Sequence, residues 1–163
     1  EILGELVSME AVFAGLIDGQ LHAMEQAGNG YVRVNRRYMY AAVNYAVEHY
    51  AKICDQIRTL MGGGTFQMPA SIDLIEDAIL ASDFETYWST GDETAVERMK
   101  LFRLAWDMLG SEFAMRHDQY EKFYFGQRFV VRNFNHLHAP WHEFESLVFD
   151  IMDAYDAPAG HTS

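Results

Sequence analysis

The sequence predicts an all-α domain, an antiparallel bundle of four or five helices, on three observations. Apolar residues recur at three-and-four spacing through long stretches, glycines and good capping residues punctuate those stretches, and no segment alternates apolar and polar residues long enough for a strand. A chain of 163 residues with 50% hydrophobic side chains and only 3 prolines is of a size to form one domain with a sizeable core. Residues 1–155 are assigned to that bundle, and residues 156–163 to a flexible tail.

The elements follow in order. Leu3, Leu6, Val7, Phe13, Leu16, Ile17, Leu21 and Met24 line one face of a first helix, which Gly28-Asn29-Gly30 should end. Asn35 is a good N-cap for a second helix carrying Tyr38, Ala41, Ala42, Tyr45, Val47, Tyr50, Ile53, Ile57 and Leu60 up to the Gly62-Gly63-Gly64 stop. Two long helices joined by a short turn should lie antiparallel. Residues 65–71 read as an ordered loop, because Pro69 holds Met68 extended. Residues 73–87 read as short, broken helix. Thr90-Gly91-Asp92-Glu93 fits a Ser/Thr-x-x-Glu capping box, so a third long helix should start there and run to Leu109. Gly110-Ser111 interrupts it, and residues 112–125 resume helical character. Residues 127–138 show no clear period and read as a loop. Pro140 suits the first turn of a last helix over residues 141–155.

Charge and composition exclude several functions. A net charge of −12, from 24 acidic and 12 basic residues, opposes nucleic-acid or anionic-membrane binding, which depends on clustered Lys and Arg. No apolar run approaches the ~20 residues that cross a bilayer, and no signal-peptide pattern is visible. Cys54 is the single cysteine, so neither an internal disulfide nor a Cys-based zinc site can form. A cytoplasmic location is the expectation. The chain opens on Glu1-Ile2-Leu3, already inside an amphipathic pattern, and reads as a piece of something longer.

A helical bundle raises the question of a di-iron centre, which uses Glu-x-x-His pairs. No glutamate here has a histidine three residues on. His136, His138 and His142 invite a metal reading, but Pro140 parts the last two and the spacing matches no usual ligand set, so no metal is assigned. Arg33, Arg36 and Arg37 would bind a phosphate or, more in keeping with so acidic a chain, ion-pair with acidic neighbours across a subunit contact.

Two turns are candidates for binding. Gly62-Gly63-Gly64 serves as a helix C-cap, yet three glycines followed by Gln67, which both donates and accepts, would also let a ligand approach the backbone. At Gly110-Ser111-Glu112-Phe113, Ser111 can cap the resuming helix, the free N–H groups of its first turn suit a phosphate or an electron-rich ring edge, and Phe113 can stack on a planar ligand or join the core.

GGGTFQMPAS (62–71), ERMKLFRLAWDMLGSEF (97–113) and RHDQYEKFYFG (116–126) together resemble the C-terminal helical domain of the 4-hydroxyphenylacetate 3-monooxygenase family, oxygenase component. The resemblance runs from about residue 3 to 126. It implies the C-terminal bundle of an acyl-CoA dehydrogenase-like fold, without the family's N-terminal helical and central β domains, in a protein that forms homodimers or homotetramers through the bundle. It further implies that a separate flavin reductase supplies FADH2, which with O2 hydroxylates a phenolic substrate ortho to its OH. By that resemblance Gly62, Gly63, Gly64 and Gln67, and Gly110, Ser111, Glu112 and Phe113, lie near the FAD. The phenol-activating residues of the family belong to the absent domains, so no catalytic residue is assigned and the isolated chain is expected to be inactive. Ala114-Met115 stands where relatives often have small residues, and the His-rich tail is unfamiliar. Two alternatives remain open: a domain like that of 4-hydroxybutyryl-CoA dehydratase, which shares the architecture and adds an iron–sulfur cluster, and a non-catalytic helical oligomerisation module.

Overall fold

The computed structural model describes residues 1–124 and 126–154. Eight helices occur among them: α1 Ile2–His22, α2 Arg36–Met61, α3 Gly64–Gln67, α4 Ala78–Trp88, α5 Ala95–Leu109, α6 Glu112–Tyr124, α7 Arg128–Leu137 and α8 Trp141–Asp153. A 3-10 turn, Ile72–Glu76, precedes α4. The all-α prediction holds, and none of these helices is long and apolar enough to cross a membrane.

Helices α1 and α2 pack as the expected antiparallel pair, joined by residues 23–35. Asn35 caps α2 by accepting a hydrogen bond from the Tyr38 N–H at 3.2 Å, which satisfies one of the free donors of the first turn. At one end of the pair Glu5 accepts hydrogen bonds from Lys52 and Gln56. At the other, Gly19 lies so close to Tyr38 that a Cβ would sit 3.1 Å from the ring. The paired Lys52 holds the Glu5 carboxyl below its ordinary pKa.

The second cluster forms around α4 and α5. Phe84, Ala95 and Met99 are buried, with Met68, Leu74, Trp88 and Val96 packed against them. Phe102 extends this core and meets Trp88 edge-on, with ring centroids 5.6 Å apart.

Several local expectations are corrected. The first helix ends at His22, and a small antiparallel hairpin replaces its last turn, pairing Glu25 with Arg33 and Gln26 with Val32. Its turn uses positive φ at Asn29 (66°) and Gly30 (79°), conformations that Gly and Asn adopt at low cost. Arg33 and Arg36 both face Glu25 of their own chain, at 2.9 and 3.4 Å, while Arg37 lies over the Tyr38 and Phe144 rings. The hairpin thus supplies within the chain the acidic partner that had been expected from another subunit.

The expected loop at residues 65–71 opens with the single turn α3. The capping box belongs four residues later than expected: Thr94 and Glu97 exchange the reciprocal side-chain bonds at the start of α5. Thr90 and Glu93 instead close a turn, through two hydrogen bonds of 2.9 and 3.2 Å. Both Thr-x-x-Glu runs carry the signature, and only the chain direction at α4 decides which one opens a helix.

The largest correction is α7, where a loop was expected. Val130, Val131, Phe134 and Leu137 do recur at helical spacing, but over only ten residues, a length at which the period was overlooked. Packing on α2 exposes that face: Val131 is 3% exposed, Phe134 and His138 stack on Tyr40, and Arg132 pairs with Glu48. Tertiary burial stabilises a helix too short to persist alone. The last helix starts after Pro140 as expected, while Phe125, Tyr155 and the tail 156–163 lie outside the described residues.

Candidate cofactor site

The turn between α5 and α6 is built by four hydrogen bonds. The Gly110 and Ser111 N–H groups both donate to the Trp106 carbonyl, at 2.8 and 2.9 Å. The Ser111 hydroxyl donates to the Asp107 carbonyl at 2.8 Å and accepts from the Ala114 N–H at 3.1 Å. Ser111 therefore caps α6 as the sequence suggested. Its own N–H is used internally, whereas the N–H groups of Glu112 and Phe113 have no partner among the described residues. Those two donors, at the positive end of the α6 dipole, are the ones left for an acceptor on a ligand. The Phe113 ring beside them is 77% exposed and continues into stacked rings at His117 and Tyr120.

The glycine-rich turn divides into separate roles. Gly62 has φ 55° and ends α2, with its N–H returned to the Arg58 carbonyl, the C-cap geometry for which glycine carries no steric penalty. Gly64 faces Phe102 so closely that a Cβ would lie 2.2 Å from the ring. Gly62 and Gly63 both have open space where a side chain would be, and Gln67 is exposed. Backbone conformation thus accounts for Gly62 and packing for Gly64. Gly62 and Gly64 shape the turn, and Gly63 and Gln67 are what it offers outward.

Arg58 joins the ends of α2 and α5, donating to the Leu109 carbonyl at 2.8 Å. This bond satisfies a terminal carbonyl of α5 and brings the two helix ends that carry the predicted turns together. Beside them lies a hollow of about 220 Å³, bordered by Tyr50, Cys54, Arg58, Leu109, Ala114 and Asp118 among others. Met115 also borders it, so the Ala114-Met115 pair noted in the sequence narrows this hollow.

Sequence reasoning missed Tyr50, Arg58 and Asp118. On one chain they look like a periodic core position and two ordinary surface charges, and only the approach of α6 to α2 brings them together. Tyr50 differs chemically from an ordinary tyrosine. Partial burial first, then the neighbouring Cys54 thiol and Asp118 carboxylate, push its pKa up to about 12. In the unfolded chain the phenol ionises near pH 10, so the unfolded state sheds its proton first. Stability is then unaffected below pH 10 and falls between pH 10 and about 12. Denaturant titrations should show that Tyr50→Phe flattens this alkaline decline; an unchanged slope would assign the decline to other groups.

A second, larger cleft of about 620 Å³ lies between α1, α2 and α6, lined by Phe13, Ile17, Val43, Ala46, Lys122 and Arg128 among others. None of the eight residues singled out from the sequence borders it. Two of the three histidines of the cluster pack on rings, His138 on Tyr40 and His136 on Trp141.

Comparison with known proteins bears on this geometry. Residues 1–153 match the family described as 4-hydroxyphenylacetate 3-hydroxylase C terminal. The chain is similar to the oxygenase component of 4-nitrophenol 2-monooxygenase from a Rhodococcus species, with 28% identity over 80% of this chain and 25% of that protein. It is similar also to the 4-hydroxyphenylacetate 3-monooxygenase oxygenase component of Thermus thermophilus, with 31% identity over 74% of this chain and 24% of that one. Its fold matches the crystal structure of the oxygenase component of 4-hydroxyphenylacetate 3-monooxygenase complexed with FAD and 4-hydroxyphenylacetate. That match has a TM-score of 0.82 and 21% identity over 94% of this chain and 32% of that one. The chain spans about a quarter of the length of the curated relatives it matches.

Proposed function

The chain belongs to the 4-hydroxyphenylacetate 3-hydroxylase C-terminal family, and on that premise we propose that it is the C-terminal helical domain of an FADH2-dependent phenol monooxygenase. The family match over residues 1–153 carries this reading. The parent is the oxygenase component of a two-component system in the cytoplasm: a separate reductase delivers FADH2, and a phenolic substrate is hydroxylated ortho to its OH. It assembles as a homodimer or homotetramer, and this domain contributes to the assembly and to the flavin site.

The residues of the α5–α6 turn fit a flavin. The two N–H groups of Glu112 and Phe113, without a partner among the described residues, can donate to an acceptor atom of the cofactor, and the exposed Phe113 ring offers a planar surface at the same place. Gly110 and Ser111 set the turn that aims those donors, while Gly62, Gly63, Gly64 and Gln67 border the site from the end of α2. Reduced flavin, when bound, supplies the oxygen-activating chemistry. The domain's own task is to hold and orient the cofactor and to keep one wall of the site closed to water.

Turnover tests the division of labour. With FADH2, O2 and 4-hydroxyphenylacetate, the full-length parent is expected to form the catechol, and the 163-residue chain alone only hydrogen peroxide. Catechol from the isolated chain would place the substrate chemistry in this domain. A parent that hydroxylates no member of a panel of phenols would sink the reading itself.

A further inference from the structure

A single arginine takes part in both turns of the candidate site. Arg58 stands in the last turn of α2, and its own carbonyl accepts the Gly62 N–H at 3.1 Å, the bond that closes the helix at the glycine turn. Its side chain reaches the second turn. A guanidinium N–H donates to the Leu109 carbonyl at 2.8 Å, and among the described residues this is the one hydrogen bond between α2 and the α5–α6 turn.

The bond falls on a peptide that is held from both sides. The Leu109–Gly110 unit accepts from Arg58 through its carbonyl, and donates through the Gly110 N–H to the Trp106 carbonyl at 2.8 Å. Because a peptide unit is planar, fixing its oxygen and its nitrogen fixes its orientation. The chain passes directly from that unit into Ser111, Glu112 and Phe113. Bonds to the Trp106 and Asp107 carbonyls shape the turn from within α5, and the Arg58 bond ties that shape to α2. Side-chain packing contributes little to the tie, since a hollow of about 220 Å³ lies between Tyr50, Cys54 and Arg58 of α2 and Ala114, Met115 and Asp118 of α6.

Charge makes the choice of partner informative. In a chain of net charge −12, with Asp118 on the border of the same hollow, Arg58 forms no ion pair among the described residues. Its guanidinium lies instead at the carbonyl end of α5, where the helix dipole stabilises a cation and a terminal carbonyl lacks a partner within its own helix.

We propose that Arg58 is a positioning residue for the flavin: by holding the Leu109–Gly110 peptide it sets the Glu112 and Phe113 donors against the glycine turn, so that the two turns form one binding surface. It acts through the turn and not by contact with the cofactor. This rests on the flavin reading of those turns given above and adds the residue that joins them.

Anaerobic FADH2 binding by the full-length parent, measured beside its melting temperature, provides the test. Arg58→Met keeps a similar stem and removes the donors, and it should weaken binding about tenfold. The melting temperature should stay nearly unchanged, because the side chain is exposed. Arg58→Lys keeps a cationic donor for a single carbonyl, where no planar fork is required, and should bind within about threefold of wild type. In a Glu112→Pro background, which lacks one of the donors being positioned, Arg58→Met should cost only about threefold, the coupling expected of groups that act together. An Arg58→Met parent that binds FADH2 as wild type does, whatever its melting temperature, would refute the positioning role. Full additivity with Glu112→Pro, or an Arg58→Lys as weak as Arg58→Met, would refute action through the Leu109 bond. Should Glu112→Pro alone bind as wild type does, the flavin reading of the turn falls and the positioning role falls with it.

Discussion

Phe102→Ala is expected to lower the stability of the domain by about 3–5 kcal/mol, the usual cost of truncating a buried aromatic side chain. Phe102 is 8% exposed, meets Trp88 edge-on, lies under the Arg98 guanidinium at 5.4 Å and presses on Gly64. Gly64→Ala should cost about 1–3 kcal/mol by overpacking, because its new Cβ would sit 2.2 Å from the Phe102 ring. The two changes should not add. Once Phe102 is removed the clash is gone, and alanine in a helical turn restricts the unfolded chain more than glycine does, so Gly64→Ala becomes neutral or slightly stabilising in that background. Urea unfolding of the four proteins measures this. A harmless Gly64→Ala in the wild type would show that Phe102 does not require the glycine, and would return Gly64 to the role of admitting a ligand.

Glu112→Pro in the full-length parent is expected to weaken FADH2 binding about tenfold while leaving the melting temperature nearly unchanged. Proline is tolerated at the first residue of a helix, where Glu112 stands, so the substitution removes one N–H with little damage to α6. Loss of one hydrogen bond of about 1 kcal/mol or somewhat more accounts for the size of the effect. Glu112→Ala keeps the N–H and removes only an exposed pairing with Arg116, worth little, so it should bind flavin as the wild type does. Ser111→Pro would discriminate less well. The Ser111 N–H already serves the Trp106 carbonyl, and its hydroxyl caps α6, so that change would perturb folding whatever the turn binds. Equal flavin affinity in Glu112→Pro, Glu112→Ala and wild type would leave the turn as a structural element.

Much of the fold could be read from the chain because its signals are local. Asn35 before α2, the glycine after Met61, the break at Gly110-Ser111 and Pro140 before α8 each act on the backbone within one turn, and each marks a boundary in the structure. Where two local signals compete, locality fails: Thr90 and Thr94 both precede a glutamate at the capping distance, and the direction of the chain leaving α4 selects Thr94. Helix α7 was legible but missed: Val130, Val131, Phe134 and Leu137 mark one helical face, and what α2 adds is the burial that holds so short a helix.

The candidate site divides in the same way. The turn 110–113 and its serine cap were evident in the sequence, because capping is chemistry between residues three apart. The residues that border the neighbouring hollow, Tyr50, Arg58 and Asp118, are up to 68 positions apart, and no periodicity on either helix marks them. The sequence by itself determined most of the helical segments, where most of those begin and end, and the family to which they belong. Tertiary structure alone decided which glycine is held by packing and which are open, that Glu112 and Phe113 rather than Ser111 keep donors without a partner among the described residues, and that the apolar face of α8 is left exposed among them. These depend on which atoms meet across elements far apart in sequence, and burial, unlike helical period, is not a property of any one segment.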